Sequence, residues 1–236
     1  MADRHDDAAQ EPTRVIAIRH GETAWNAETR MQGQLDIPLN QAGRWQAGRV
    51  AAALAGETLD AIYSSDLARA LQTAEPLAAA AGLAVEVDAG LRERCFGVFQ
   101  GLTFEEVEAR WPQDSVRWRR REPDFAPEGA ETLRAFAARC VAAASRIAAG
   151  HPGQTIAIVT HGGVLDSLYR AAARVGLQSS RSWVLANAGI NRLLHTPQGF
   201  TLVGWADTGH LESAPLDEAD EGERRPPAVD RMGYAA

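Results

Sequence analysis

The run Val15-Ile16-Ala17-Ile18-Arg19-His20-Gly21-Glu22-Thr23 decides how the rest of the chain is read. A β-branched apolar run that stops at a charged pair and a glycine reads as a buried strand ending in a loop. In open α/β sheets, ligands bind at the carboxyl ends of the strands. The same grammar returns at Ile156-Ala157-Ile158-Val159-Thr160-His161-Gly162-Gly163. Two histidines, each at a strand end and each followed by glycine, suggest one shared site built from distant parts of the chain.

Outward from these two points, strands alternate with helical patterns. That alternation is the signature of a largely parallel sheet covered on both faces. Val15–Arg19, Ala61–Tyr63, Val85–Val87 and Ile156–Thr160 read as strands. Arg192–His195 and Phe200–Trp205 read as a hairpin around Pro197-Gln198-Gly199. Asn40 caps a helix to about Ala55, with Trp45, Val50 and Leu54 as candidate core contacts and Gly56 as its stop. A second helix spans Ala68–Ala81 with Gly82 at its C-terminal cap, and Pro76 inside it predicts a kink or break. Thr103 and Glu106 form a capping box for a helix that runs to about Trp111, before Pro112. Further helices are expected over Glu131–Ala149, closed by Gly150, and over Val164–Ala173.

The 236 residues suffice for one substantial domain or at most two small ones, and 45% hydrophobic with 23% charged residues is ordinary for a globular protein. No apolar stretch reaches the roughly 18 residues of a membrane span, and the acidic start Met1–Asp7 lacks the apolar core of a signal peptide. A cytoplasmic location is the default expectation. The net charge of -7 is confined to the ends. Residues 1–12 hold four acids against Arg4, and residues 212–236 hold seven acids against three arginines, so residues 13–211 are neutral overall. Both ends read as disordered acidic tails flanking one domain over 13–211. Cys95 and Cys140 show no CxxC spacing, which argues against a disulfide framework or a thiolate metal site. All 24 basic residues are arginine. With no lysine, the chain has no P-loop lysine, Schiff-base lysine or lysine general base.

Four strand ends present polar groups: Arg19-His20, the Ser64-Ser65-Asp66 turn leading to Arg69, Glu93 after the third strand, and His161. Singly, each has a bland reading as a satisfied structural histidine, a solvated arginine or a surface salt bridge. Together they suit phosphoryl transfer. Neutral histidine is a competent nucleophile, arginine matches phosphate oxygens bidentately, and a carboxylic acid can protonate a leaving oxygen. Gly162-Gly163, opening a helix, would aim backbone N–H groups at an anion. A zinc site from His20, His161 and Glu93 lacks any supporting HExxH spacing.

These residues resemble the signature of the histidine phosphatase (phosphoglycerate mutase-like) superfamily. The resemblance begins with Arg19-His20-Gly21-Glu22-Thr23 and Trp25-Asn26. It continues through Gln32-Gly33, Pro38-Leu39-Asn40, Ser64–Ala70, Leu91-Arg92-Glu93, Gly97, Gly101-Leu102-Thr103, Gly129–Thr132 and Thr160–Gly163. It spans about residues 14–205. It implies a three-layer α/β fold and a metal-independent phosphatase that works through phosphohistidine, without a cofactor. His20 would be the nucleophile, and Arg19, Arg69 and His161 would hold the phosphoryl group. Glu93 would be the proton donor and then the base. Asn26 would touch phosphate, Gln32 and Gly33 would lie at the rim, and Gly162 would contribute to binding. The implied partner is a small phosphorylated metabolite, with neither nucleic acid nor membrane, and a homodimer is admitted. Glu93–Gly97 with Phe99–Thr103 looks more like the phosphatase branch, because the mutases typically carry a long insertion with lysine. Arg117, Arg119, Arg120 and Arg121 leave a phosphoglycerate mutase as the alternative, since they would suit an acidic phosphoester; the bland reading is a solvated face. A catalytically weak phospho-ligand binder is a second alternative.

Overall fold

The computed structural model describes residues 11–212. Apart from Glu11, Pro12 and Glu212, the two expected tails lie outside the described residues. The Glu11 carbonyl accepts from the Gly153 N–H at 3.2 Å.

The chain runs β1 (Thr13–Arg19), α1 (Ala24–Ala27), α2 (Gln41–Ala53), β2 (Ala61–Ser64), α3 (Ala68–Ala81) and β3 (Val85–Val87). Then come α4 (Phe104–Arg110), α5 (Pro112–Arg119), α6 (Leu133–Ala149), β4 (Thr155–Thr160), α7 (Gly162–Ala173), β5 (Ile190–Thr196) and β6 (Gly199–Asp207). The six strands form one sheet in the order β3-β2-β4-β1-β5-β6. The pairs β1·β4, β2·β4 and β2·β3 are parallel, whereas β1·β5 and the β5·β6 hairpin are antiparallel.

Alternation along the central strands sorts the core into two layers. Val15, Ala17, Ile156 and Ile158 pack with Phe136, Cys140, Ile147, Leu165 and Leu168 of α6 and α7. Ile16, Ile18, Ala157 and Val159 pack with Val50, Leu54, Ala70, Ala74 and Leu77 of α2 and α3. A third cluster, Met31, Phe96, Phe99, Val107, Trp118 and Phe125, holds α4 and α5 together.

Several expectations need correction. Trp45 is 38% exposed. The buried face of α2 runs Gly43, Ala47, Val50, Ala51, and a residue two positions past Gly43 points away from it. Gly56 does not stop that helix, because the Leu54 N–H already closes the last turn on Val50. Pro76 does not break α3, which continues to Ala81 and ends on Gly82 in the left-handed conformation (φ 67°). Pro76 is half-buried, between the buried positions Ala74 and Leu77 of the same helix. Pro112 ends one helix but also opens another, α5, since proline suits the first helical position. The sixth helix runs Leu133–Ala149 as expected, with Thr132 capping it through the Ala135 N–H and Gly150 at its C-cap.

Candidate active site

Register explains why the two histidines meet. Arg19 pairs with Thr160 across parallel β1 and β4, so the chain leaves both strands one residue later, at His20 and His161. Their rings lie 5.2 Å apart, centroid to centroid. The His20 N–H bonds to the Thr160 carbonyl at 2.8 Å, which ties the two strand ends together.

Each ring has a definable state. His20 Nδ1 lies 2.7 Å from the Gly21 carbonyl, and a carbonyl can only accept. Nδ1 therefore carries the proton and Nε2 keeps its lone pair. Burial holds the His20 pKa well below the ordinary histidine value, with the charges of Arg69 and Arg19 adding to the effect. His161 is depressed in the same way, first by burial, then by Arg69 and by His20. Its Nε2 lies 2.8 Å from Ser65 Oγ, while its Nδ1 has no hydrogen-bond partner among the described residues. Both imidazoles are neutral at pH 7.

The arginines come from two elements. Arg19 ends β1 and donates to the Leu185 carbonyl. Arg69, in the first turn of α3, is only 1% exposed and donates to the carbonyls of Gly33 (2.7 Å) and Leu35 (2.8 Å). Burial lowers its pKa to about 10, which leaves it charged at pH 7. Glu93 follows the Ala89–Leu91 turn in a segment without regular structure. Its carboxylate accepts from the Arg94 N–H (2.8 Å) and from the Gly163 N–H at the start of α7 (3.0 Å).

One pocket is lined by Arg19, His20, Asn26, Gln32, Gly33, Arg69, Glu93 and Gly162. His161 is not part of that wall; it is fully buried, with its ring 5.2 Å from that of His20. Gly33 lines the pocket, and its carbonyl also accepts from Arg69, so it positions that guanidinium. Asn26 closes a capping box with Thr23, its Oδ1 accepting from the Thr23 N–H at 3.1 Å, which leaves Nδ2 to donate. The four-arginine cluster divides. Arg117 and Arg119 pair with Glu122 and Glu108 outside the pocket, whereas Arg121 is buried, bonds Asp166 at 2.7 Å and lines the pocket. Among the described residues, no three His, Cys, Asp or Glu side chains are grouped to hold a metal ion.

Sequence reasoning missed Asn187, whose amide donates to the His20 carbonyl at 3.0 Å and lies 3.3 Å from the Gly21 carbonyl and Asn26 Oδ1. An asparagine that braces backbone carbonyls from a distant loop leaves no local pattern. Ser65 was visible only as part of a polar turn.

Paired neutral histidines and buried arginines at parallel strand ends, with a carboxylate beside them, define a phosphoryl-handling α/β protein. The chain belongs to the histidine phosphatase superfamily (branch 1), whose family model matches residues 15–208. It is 40% identical to phosphoglycerate mutase-like protein 4 of Arabidopsis thaliana, over 89% of this chain and 91% of that one. It is 34% identical to the metal-independent phosphoserine phosphatase of the same plant, over 92% and 91% of the two chains. Among solved structures, the phosphoserine phosphatase of Entamoeba histolytica in complex with 3-phosphoglyceric acid superposes with a TM-score of 0.75 and 29% identity, covering 84% of this chain and 99% of that one. The chain is a phosphomonoesterase of the histidine-phosphatase type, a family whose chemistry runs through phosphohistidine. No helix among the described residues is long and apolar enough to cross a membrane.

Proposed function

We propose that His20 is the nucleophile and that it hydrolyses a small phosphomonoester carrying a second acidic group. One observation carries the nucleophile: Nδ1–H is held by the Gly21 carbonyl in a ring kept neutral by burial, so the lone pair is on Nε2. Nε2 attacks phosphorus as the P–O bond to the leaving group breaks. Glu93, in its acid form, gives its proton to that oxygen. Arg19 and Arg69 meet the charge on the phosphoryl oxygens, and Asn26 Nδ2 adds a donor. When Ser65 Oγ donates to His161 Nε2, His161 turns Nδ1–H toward the same oxygens. Glu93, now a carboxylate, takes a proton from water, which attacks phosphorus; the P–N bond breaks and inorganic phosphate leaves.

The substrate class rests on the rest of the wall. Arg94, Arg181 and Arg121, the last paired with Asp166 of the same wall, line it together with Phe96, Trp118 and Leu185. A wall rich in guanidinium suits a carboxylate. Phosphoserine and 3-phosphoglyceric acid, named for the relatives, both carry one. Mutase chemistry is the second reading, favoured by the name of the 40% identical relative.

Rapid quench with intact-mass analysis tests the first claim. Acid-labile phosphate is expected on the wild type and absent from His20→Ala; equal labelling of both would overturn it. A parallel assay with phosphoserine and with 3-phosphoglycerate, with and without 2,3-bisphosphoglycerate, tests the second claim. Phosphate release without isomerisation is expected, whereas isomerisation dependent on the bisphosphate would favour the mutase.

A further inference from the structure

Glu93 lies in a stretch with no secondary structure, yet its chemistry needs it held to a fraction of an ångström. The carboxylate contacts to the Arg94 and Gly163 N–H groups aim it, but they cannot fix its backbone. A guanidinium from α6 does so, alongside the Gln34 amide, which donates to the Glu93 carbonyl at 3.1 Å. Arg139 donates through Nη1 to the carbonyls of Gly90 and Arg92, both at 3.0 Å, and through Nη2 to the carbonyl of Glu93 itself at 3.3 Å. Its Nε and Nη2 meet Glu131 Oε1 and Oε2 at 2.9 and 2.8 Å. Glu131 Oε2 in turn accepts from the Cys95 N–H at 2.9 Å, and the Glu131 N–H bonds to the Cys95 carbonyl at 3.0 Å. One side chain, with its carboxylate partner, thus grips the backbone on both sides of Glu93. Arg139 does not line the pocket.

We infer that Arg139 is a positioning residue for the general acid: its fork, locked by Glu131, clamps residues 90–95 so that Glu93 meets the leaving oxygen. The planar fork with five donors is required, because a lysine ammonium cannot span a carboxylate and three carbonyls together. The inference rests on Glu93 being the proton donor.

The test uses the full chain and kcat/KM for aryl phosphates from phenyl to 4-nitrophenyl phosphate. This ratio reports the steps up to the first P–O cleavage. Phenolate needs a proton as it leaves, and 4-nitrophenolate does not. In Arg139→Gln, kcat/KM for phenyl phosphate falls by about 10- to 100-fold, and for 4-nitrophenyl phosphate by less than about 3-fold. The dependence on leaving-group pKa steepens toward that of Glu93→Gln. Adding Arg139→Gln to Glu93→Gln changes phenyl phosphate turnover by less than about 2-fold, since the two act as a unit. If the Gln variant does not fold, Arg139→Lys and Glu131→Gln carry the same expectation. A uniform loss across all substrates, additive with a steep Glu93→Gln, overturns this inference alone. A flat plot for Glu93→Gln overturns the proton-donor reading, and this inference with it.

Discussion

A methyl group at Gly163 would sit 2.2 Å from Glu93 Oε1 and 3.0 Å from Phe136 Cζ. Both are far ends of side chains, so the fold can yield, but only by displacing the carboxylate from its N–H donors. Gly163→Ala is therefore expected to cost activity more than stability. We expect kcat/KM for poor leaving groups to drop by about 10-fold or more, in line with lost general acid catalysis, as read by steady-state kinetics. Thermal unfolding should move by only a few degrees. At this scale the site is largely legible in the sequence. His20 and His161 follow apolar runs that can only be strands, and Arg69 and Glu93 follow polar strand-end turns. Asn187 and Arg139 are not legible, because each acts on a backbone far away in sequence, and Ser65 shows only as part of a polar turn. Arg121 separates from Arg117 and Arg119 only once α5 places its end against α7.

The loop after β1 is held by an unusually close approach of one element to another. A Cβ on Gly21 would lie 2.5 Å from the Gly43 carbonyl oxygen, and a Cβ on Gly43 would lie 2.0 Å from the Glu22 carbonyl oxygen. These obstacles are backbone, so neither can swing aside. The start of α2, capped by Asn40 on the Gly43 N–H at 2.8 Å, is packed directly against the loop that carries His20. Gly43→Ala is expected to destabilise by about 1–3 kcal/mol through overpacking. That lowers Tm by about 2–4 °C for each kcal/mol in a domain of this size. Gly48, five residues on in α2, is exposed, and a Cβ there would meet nothing within 4 Å. Gly48→Ala should stabilise by about 0.5–1 kcal/mol, from helix propensity alone. Paired melting curves check both signs; equal effects would remove the close-approach argument. Element type is readable because apolar period separates β1 and β4 from α3, α6 and α7. Pro76 and Gly56 look like punctuation in the sequence, whereas packing and position decide what each residue does.

Across the whole molecule, the strand order cannot be read from sequence, since nothing in the local pattern says that β4 inserts between β1 and β2. That insertion buries His20 and His161 side by side, with a consequence for stability. Burial lowers the pKa of both, with Arg69 the next cause in each case, and burial also lowers His195 and His210. The unfolded chain takes up these protons near the ordinary histidine pKa of about 6.5. Below that pH the unfolded state binds more protons than the native state, so stability rises with pH and is lost as pH falls. Above it both states are neutral at these groups, which then contribute no slope. Each depressed histidine adds at most about 1.4 kcal/mol of lost stability per pH unit below about 6.5. The depressed carboxylates, such as Asp66 beside Arg92, act in the same direction but only in the more acidic range where carboxylates take up protons. Loss between about pH 6.5 and 5 thus belongs mainly to the histidines. Urea unfolding at pH 7.5 and 5.5 should show the wild type less stable at the lower pH, with a smaller drop for His161→Gln. A wild type equally stable at both values would mean that the paired imidazoles accept protons in the folded state, and the neutral nucleophile would lose its physical basis.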